Sequence, residues 1–123
     1  MSNKKKVVIV DDNVSILDSI ELMLDFEGFE VIKFSKGSDM LKLMNRNTKP
    51  HIILMDMWLS GEDGRDICKI LKNEDDLKDI PVIIMSASRE MGKSAKEAGA
   101  TDFISKPFDL VEMLDKINKY TES

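Results

Sequence analysis

The chain has 123 residues, of which 42% are hydrophobic and 33% are charged, and its formal net charge is −5 at pH 7. This length favours one domain, so we expect residues 1–123 to form a single unit with flexible termini at 1–6 and 121–123. The acidic balance argues against direct nucleic-acid binding, the single cysteine excludes an internal disulfide, and no apolar run is long enough to insert in a membrane. We therefore expect a cytoplasmic protein.

Short apolar runs recur along the chain and predict strands. Continuous runs rich in β-branched residues are typical of strands that are buried on both faces of a parallel sheet. The segment at 30–34 is more mixed and suits the edge of the sheet. The predicted strands are VVIV (7–10), EVIKF (30–34), IILM (52–55), VIIM (82–85) and DFIS (102–105).

Amphipathic segments lie between these runs and predict helices. We expect Gly28 to end the first helix, Ser38 to cap the second and Asp109 to cap the last. The segment 88–98 predicts a weaker fourth helix, because Gly92 would lie inside it at a cost of up to ~1 kcal/mol relative to alanine. The apolar helix positions are Ile16, Leu17, Ile20, Met23 and Leu24; Met40, Leu41 and Met44; Ile67, Ile70 and Leu71; and Leu110, Met113, Leu114 and Ile117.

Strands and helices thus alternate five times, which predicts an α/β protein with a parallel sheet covered by helices on both faces. With five strands we expect the flavodoxin-like doubly wound (βα)5 fold, with strand order 2-1-3-4-5.

Polar residues follow the strands that this order makes neighbours. Asp11 and Asp12 follow the first run, Asp56 the third and Ser86 the fourth, and Lys106 follows the fifth strand. Ligands bind at the carboxyl edge of such sheets, so these side chains would surround one shallow pocket. Taken singly, each has an ordinary explanation as a helix cap, a turn residue, a strand-end hydroxyl or a solvated lysine.

Three carboxylates in one pocket require compensation, because a like-charged pair at ~4 Å repels by ~4 kcal/mol at an effective dielectric of 20. An open site made of oxygen ligands suits Mg²⁺, which readily shares phosphate oxygens. Lys106 and the Ser86 hydroxyl could then bind a phosphoryl group, and Asp56 could be the nucleophile that accepts it.

The segments VVIVDDN, IILMDM, GEDG, VIIMSA and GATDFISKPF together resemble the receiver domains of two-component response regulators, over residues 7 to about 120. The resemblance implies that Asp56 is the phosphoacceptor and that Asp11, Asp12, Asp56 and the backbone carbonyl of Trp58 hold Mg²⁺. It also implies that Lys106 binds the phosphoryl group before a cis Lys106–Pro107 peptide, and that Ser86 and Phe103 are the switch residues.

The resemblance further implies a signalling switch that is not a turnover enzyme and that catalyses only its own phosphorylation and dephosphorylation. A histidine kinase or histidine phosphotransfer protein would donate the phosphoryl group, and the fourth helix, fifth strand and fifth helix would form the surface for a downstream protein. The chain could be a stand-alone regulator or a receiver taken from a longer protein, and its MSNKKK start favours the first.

The chain departs from the family pattern near Asp56. Ser60 stands where the family commonly has proline, and Phe103 lacks the hydroxyl of the tyrosine often found at its position. Trp58 is bulky beside the acceptor, and we hypothesise that it restricts water access and changes the lifetime of the phosphoryl group. The alternative is an exposed loop residue that serves a partner.

Other classes of protein share parts of this pattern. A Mg²⁺-dependent aspartate-nucleophile phosphatase would need a second acid shortly after Asp56, where the chain has Met57 and Trp58. A flavin-binding carrier would need a phosphate-binding loop after the first strand, where the chain instead has acids. A phosphate-independent interaction module remains a third alternative.

Overall fold

The computed structural model describes residues 4–44 and 49–122, and alternating strands and helices account for most of them. We number the strands of the main sheet and the α-helices in chain order. They are β1 (Lys6–Val10), α1 (Val14–Phe26), β2 (Glu30–Phe34), α2 (Gly37–Leu43), β3 (Ile52–Asp56), α3 (Gly64–Lys72), β4 (Val82–Ser86), α4 (Gly92–Glu97), β5 (Asp102–Ser105) and α5 (Leu110–Thr121).

The main sheet has five parallel strands in the order β2-β1-β3-β4-β5, which confirms the predicted doubly wound fold. In this order the carboxyl ends of β1, β3, β4 and β5 are neighbours. Val10 is paired with Met55, Asp56 with Met85, and Ser86 with Ser105. The residues that follow these strands therefore meet at one edge of the sheet.

Helices cover both faces of the sheet and enclose two apolar layers. Leu17, Ile20 and Leu24 of α1 pack with Met113 and Ile117 of α5 on one face. On the other face α2, α3 and α4 cover a second layer. The central strands β3 and β4 are buried at every residue, as expected for strands between two helical layers. Two residues predicted to face the core are instead about half exposed, namely Ile70 at 45% and Leu110 at 46%.

The observed helix caps agree only in part with those predicted from the sequence. Asp109 caps α5 through the amide of Val111, and Gly28 has a positive φ of 92° just after α1, so both predictions are confirmed. The prediction for Ser38 is wrong, because α2 begins one residue earlier, at Gly37, with Lys36 at the cap position. A distant carboxylate replaces the local cap: Glu62 accepts hydrogen bonds from the amides of Gly37 at 2.7 Å and Ser38 at 3.1 Å.

The predicted fourth helix consists of two elements. A 3-10 turn spans Arg89–Met91, and α4 begins at Gly92 and ends at Glu97. Gly92 is therefore at the start of the α-helix and not inside it. Neither element has a side-chain cap, at Ser88 or at Met91, and the 3-10 turn precedes the first turn of α4 directly.

A small antiparallel hairpin between β3 and α3 was not predicted from the sequence. Trp58–Leu59 pairs with Glu62–Asp63, and Gly61 makes the turn with a φ of 74°. We call residues 58–63 the acceptor-loop hairpin. Two-residue strands are too short to give a periodic pattern, so tertiary contacts at the sheet edge define them.

Gly64, directly after this hairpin, lies against the backbone of the strand that carries Asp56. An added Cβ would lie 2.6 Å from the Asp56 carbonyl oxygen and 3.1 Å from the Met57 Cα. We expect Gly64→Ala to lower the free energy of unfolding by about 2–3 kcal/mol, because the clash is with backbone and not with a movable side chain. Urea denaturation measures the effect. Gly92→Ala is the matched control, because its Cβ would lie no closer than 3.4 Å to Phe103 and alanine favours the helix. Equal stability of the Gly64→Ala variant and the wild type would contradict the prediction.

The ends of the chain are partly ordered in regular elements. Lys6 begins β1, and Thr121 is the buried last residue of α5, so these two residues differ from the flexible termini expected at 1–6 and 121–123. Residues 1–3 and 123 lie outside the described residues. Within 4–44 and 49–122, no helix has the length and apolar character needed to cross a membrane.

Candidate functional site

The carboxyl edge of the sheet brings together the polar residues that follow β1, β3, β4 and β5. Asp56 is the last residue of β3, and Ser86 is the last residue of β4. Both are nearly inaccessible to solvent, with 8% and 1% exposure. Asp11, directly after β1, is 1% exposed, whereas Asp12 is exposed. The strands therefore hold two carboxylates and a hydroxyl in a largely desolvated edge.

Lys106 links two of the carboxylates. Its Nζ donates to Asp11 Oδ2 at 2.9 Å and lies 3.2 Å from Asp56 Oδ1. The amide of Lys106 also donates to the Ser86 carbonyl at 2.8 Å, which fixes the start of the loop after β5. The next peptide, Lys106–Pro107, is cis, as the resemblance implied. One ammonium group thus bridges the ends of β1 and β3.

The ionisation of Asp56 reflects first its burial and then the charges around it. Burial raises the pKa of Asp56, and the charges of Asp11 and Asp12 raise it further, while the nearby Lys106 ammonium opposes this. The carboxyl of Asp56 thus keeps a raised pKa despite its ion pair. For Lys106 the balance is reversed: burial acts to lower its pKa, but the contacts with Asp11 and Asp56 outweigh burial and raise it. The ammonium is therefore strongly held in its charged form.

The three carboxylates form a set of ligands suitable for a divalent cation. One oxygen from each of Asp11, Asp12 and Asp56 lies within 4.8 Å of the others. The set contains only oxygen donors and is open on the side of the exposed Asp12, which fits the preference of Mg²⁺ for carboxylates and retained waters. One ammonium does not balance three carboxylates, so a cation at this position would relieve the remaining repulsion.

Two of the carboxylates have additional partners. Asp11 Oδ1 accepts from the amide of Asn13 at 2.9 Å, which fixes the turn into α1. Asp12 Oδ2 accepts from both donors of Ser60, the amide at 3.1 Å and the hydroxyl at 2.7 Å. Ser60 is in the acceptor-loop hairpin, so this contact joins the loop after β1 to the loop after β3.

The two predicted switch residues lie on one side of the site. Ser86 Oγ accepts from the amide of Ser88 at 3.1 Å, which orders the loop between β4 and the 3-10 turn. Phe103 in β5 is partly buried and packs near Gly92 of α4, since a Cβ at Gly92 would lie 3.4 Å from its ring. The hydroxyl and the ring are therefore on neighbouring strands, with the ring against α4.

Trp58 is held by a side chain that sequence reasoning missed. The indole is 51% exposed, and the Arg65 guanidinium lies over it with 4.9 Å between the Cζ atom and the ring centroid. Arg65 also pairs with Asp63 and donates to Ser94 Oγ of α4 at 2.8 Å. The ring is thus tied to the start of α3 and to α4. The role of the Trp58 carbonyl as a metal ligand stays a prediction.

Residues 7–118 match the model of the family described as the response regulator receiver domain. The chain therefore belongs to the response regulator receiver family of two-component signalling. Receiver domains are signalling switches and not turnover enzymes, and as a family they undergo phosphorylation and bind Mg²⁺ at an acidic site. They interact with histidine kinases or phosphotransfer proteins and with downstream targets.

Individual relatives are consistent with this family. The chain is 32% identical over 117 residues to the probable transcriptional regulator ycf27 of Cyanophora paradoxa, covering 94% of this chain and 47% of that protein. The chain thus spans about half the length of this curated relative. The receiver domain of the Francisella response regulator 1452 is 27% identical with a TM-score of 0.88, covering 97% of this chain and 98% of that one.

A third relative is a receiver domain of a kinase. The receiver domain of the sensor histidine kinase PA1611 from Pseudomonas aeruginosa has a TM-score of 0.87 and 24% identity, covering 98% of this chain and 99% of that one. Its structure has a magnesium ion coordinated in the active-site cleft. At this identity the likeness concerns the fold alone.

Proposed function

We propose that this chain is a phosphorylation-dependent switch that accepts a phosphoryl group on Asp56. The observation that carries the proposal is the position of this carboxylate at the end of a fully buried strand, 3.2 Å from the ammonium of Lys106 and within one acidic cluster. Asp11 is less accessible to solvent than Asp56, whereas Asp12 is exposed. Asp56 ends the central strand β3, between β1 and β4, and is the carboxylate best placed as the acceptor.

The same cluster would hold Mg²⁺ through Asp11, Asp12, Asp56 and the backbone carbonyl of Trp58. When bound, the ion would neutralise charge on the phosphoryl oxygens. The residues of the chain perform the rest. Lys106 donates to a phosphoryl oxygen as a point charge, and the rigid strand β3 holds the Asp56 carboxylate in place for attack.

The reaction is a transfer of one phosphoryl group between two carriers. A carboxylate oxygen of Asp56 forms a bond to phosphorus, while the bond between phosphorus and the donor atom breaks and its electron pair leaves with the donor. The donor is a phosphohistidine on a kinase or phosphotransfer protein. Dephosphorylation is a separate hydrolysis: water attacks phosphorus, the bond between phosphorus and the Asp56 oxygen breaks, and Asp56 regains its carboxylate with release of inorganic phosphate. The chain thus promotes only its own phosphorylation and dephosphorylation.

The switch then responds to the new charge and oxygens on Asp56. Ser86 exchanges its contact with the Ser88 amide for a phosphoryl oxygen, and Phe103 turns further inward from its partly buried position. Both shifts act on the surface formed by α4, β5 and α5, which binds the downstream protein. Because α4 is short and starts at Gly92, its two positions are expected to be close in energy.

One experiment tests the acceptor directly. Incubation with a small phosphodonor and Mg²⁺ should add a single phosphoryl group to the wild-type chain, detected by intact mass. Asp56→Asn and a sample with excess chelator should gain none. A phosphoryl group on Asp56→Asn would show that another residue is the acceptor, and sustained hydrolysis of phosphate esters would instead favour a phosphatase.

Trp58 offers a test of the phosphoryl lifetime. We expect the phosphorylated Trp58→Ala variant to lose its phosphoryl group faster than the wild type, because removal of a half-exposed indole two residues after Asp56 opens the acceptor loop to water. The decay is followed by intact mass after removal of the donor. Leu22→Ala is a matched control, since that side chain is 74% exposed on α1. Decay of Trp58→Ala at the wild-type rate would exclude the shielding role and favour a partner-binding role for the indole.

A further inference from the structure

The acceptor-loop hairpin contributes a polar residue to the acidic cluster that the proposed function does not use. Ser60 gives Asp12 Oδ2 two hydrogen bonds, one from its amide at 3.1 Å and one from its hydroxyl at 2.7 Å. The residues are 48 positions apart in the sequence, so the contact closes one side of the cluster. A proline at position 60 would have neither donor.

The three carboxylates differ in how they are held. Asp11 is fixed by Lys106 and by the amide of Asn13, and Asp56 is fixed by Lys106 and by its position in β3. Asp12 is exposed, and Ser60 supplies both of the hydrogen bonds that the structure gives to its side chain. An exposed aspartate without such contacts samples several rotamers, and ordering it when a cation binds costs free energy.

The two bonds also leave one carboxylate oxygen of Asp12 for another partner. Both donors of Ser60 bind Oδ2, so neither of them occupies Oδ1. The carboxylate keeps this geometry while one of its oxygens lies within 4.8 Å of those of Asp11 and Asp56. Ser60 therefore orients Asp12 towards the cluster and does not draw it away.

We infer that Ser60 is a positioning residue that sets the Mg²⁺ affinity of this site by holding Asp12 in its binding rotamer. This inference rests on the proposed function, because it assumes that the acidic cluster binds the ion. Groups that orient a metal ligand typically change metal affinity by 10–100-fold when they are removed. Ser60→Ala keeps the amide and removes only the hydroxyl, so its effect should be at the lower end of this range.

The test is the dissociation constant of Mg²⁺, followed through the fluorescence of Trp58, the single tryptophan of the sequence. Ser60→Ala should weaken binding roughly tenfold, and Ser60→Thr, which keeps a hydroxyl, should restore most of the affinity. Ser19→Ala on the exposed side of α1 is the matched control and should bind as the wild type does. Thermal unfolding in chelator should be nearly the same for Ser60→Ala and the wild type, because the contact is on the surface.

A second variant separates positioning through Asp12 from a general effect on the loop. In an Asp12→Ala background, Ser60→Ala should change the Mg²⁺ affinity by less than twofold, because the residue through which Ser60 acts is gone. Equal or tighter binding by Ser60→Ala in the otherwise native chain would overturn the inference while leaving the proposed function intact. A loss of affinity that persists in the Asp12→Ala background would also overturn it. A wild-type chain that binds no Mg²⁺ would overturn both.

Discussion

Asp56→Asn is expected to make the metal-free protein more stable than the wild type at pH 7, by roughly 1–2 kcal/mol. The substitution removes one of three carboxylates that each have an oxygen within 4.8 Å of the others, and only two of the three contact the Lys106 ammonium. Repulsion of a like-charged pair at this range is ~4 kcal/mol at an effective dielectric of 20, and loss of the attraction to Lys106 offsets a large part of the gain. Asparagine has nearly the same shape, so the packing of β3 is retained.

The pH dependence of stability tests whether the ionised carboxylate of Asp56 is the source of this gain. The pKa of Asp56 is raised in the folded chain above its ordinary value of 3.8, so the folded state binds this proton more tightly than the unfolded state does. The contribution of Asp56 to the stability of the wild type therefore falls as the pH rises from about the ordinary pKa through the folded one. Asp56→Asn lacks this loss, so the difference between the two proteins should be small in acid and reach its full value above that window.

Urea denaturation in chelator at several pH values measures the effect, and a few degrees of change in Tm should accompany it. Asp115→Asn, at an exposed position of α5, is the matched control and should change stability by no more than about 0.5 kcal/mol. Saturating Mg²⁺ should reduce or reverse the difference in stability between the two proteins. The reason is that a ligand at a hundred times its Kd adds about 2.7 kcal/mol to the free energy of unfolding of the wild type. A metal-free Asp56→Asn protein no more stable than the wild type would contradict the charge-excess explanation.

The sequence was sufficient for the fold because the decisive signals are local. Runs such as IILM and VIIM are apolar at every position, and only a central parallel strand has both faces buried. The order of strands and helices then leaves few topologies. The position of Asp56 follows from the same signal, since the strand ends one residue after the apolar run ends. The convergence of Asp11, Asp56, Ser86 and Lys106 follows from the strand order and needs no side-chain geometry.

The polar contacts between loops could not be predicted because their partners are far apart in the sequence. Glu62 caps α2 from 24 to 25 residues away, and Ser60 reaches Asp12 over 48 residues. No periodicity or propensity encodes these pairs; they depend on where the acceptor-loop hairpin lies after the sheet has formed. The contact of Arg65 with Trp58 is closer in the sequence, but it too depends on the position of the hairpin relative to the start of α3. The one available signal was the departure at position 60, where a serine offers two donors that a proline lacks.

Lys106→Met is expected to have the opposite effect to Asp56→Asn and to lower the free energy of unfolding of the metal-free protein by about 3 kcal/mol. Nζ lies 2.9 Å from Asp11 Oδ2 and 3.2 Å from Asp56 Oδ1, and the Asp11 side chain is 1% exposed. Removing the ammonium leaves a buried anion beside a second one. The lysine side chain is itself 18% exposed, so water can solvate part of the charge that is left unpaired. The expected loss of free energy of unfolding is therefore at the low end of the range for a broken buried ion pair.

The dependence of stability on pH in the alkaline range should also change in the Lys106→Met variant. The pKa of Lys106 is raised in the folded chain above its ordinary value of 10.5, so its ion pairs stabilise the protein fully below that value. This stabilisation is lost as the pH rises through the folded pKa, and Lys106→Met should lack that part of the decline. Urea denaturation at neutral and alkaline pH measures both effects. Lys93→Met, at an exposed position of α4, is the control for introducing an apolar side chain.

Combining the two substitutions decides whether charge or packing accounts for their effects. With asparagine at position 56, the cluster has one anion fewer, so Lys106→Met should cost at least about 1 kcal/mol less than it does in the wild type. If the Lys106→Met cost came from lost packing of its aliphatic part, it would be the same in both backgrounds. Additive effects in this double-mutant cycle would therefore exclude an electrostatic coupling between the Lys106 ammonium and the Asp56 carboxylate as the cause of the two effects.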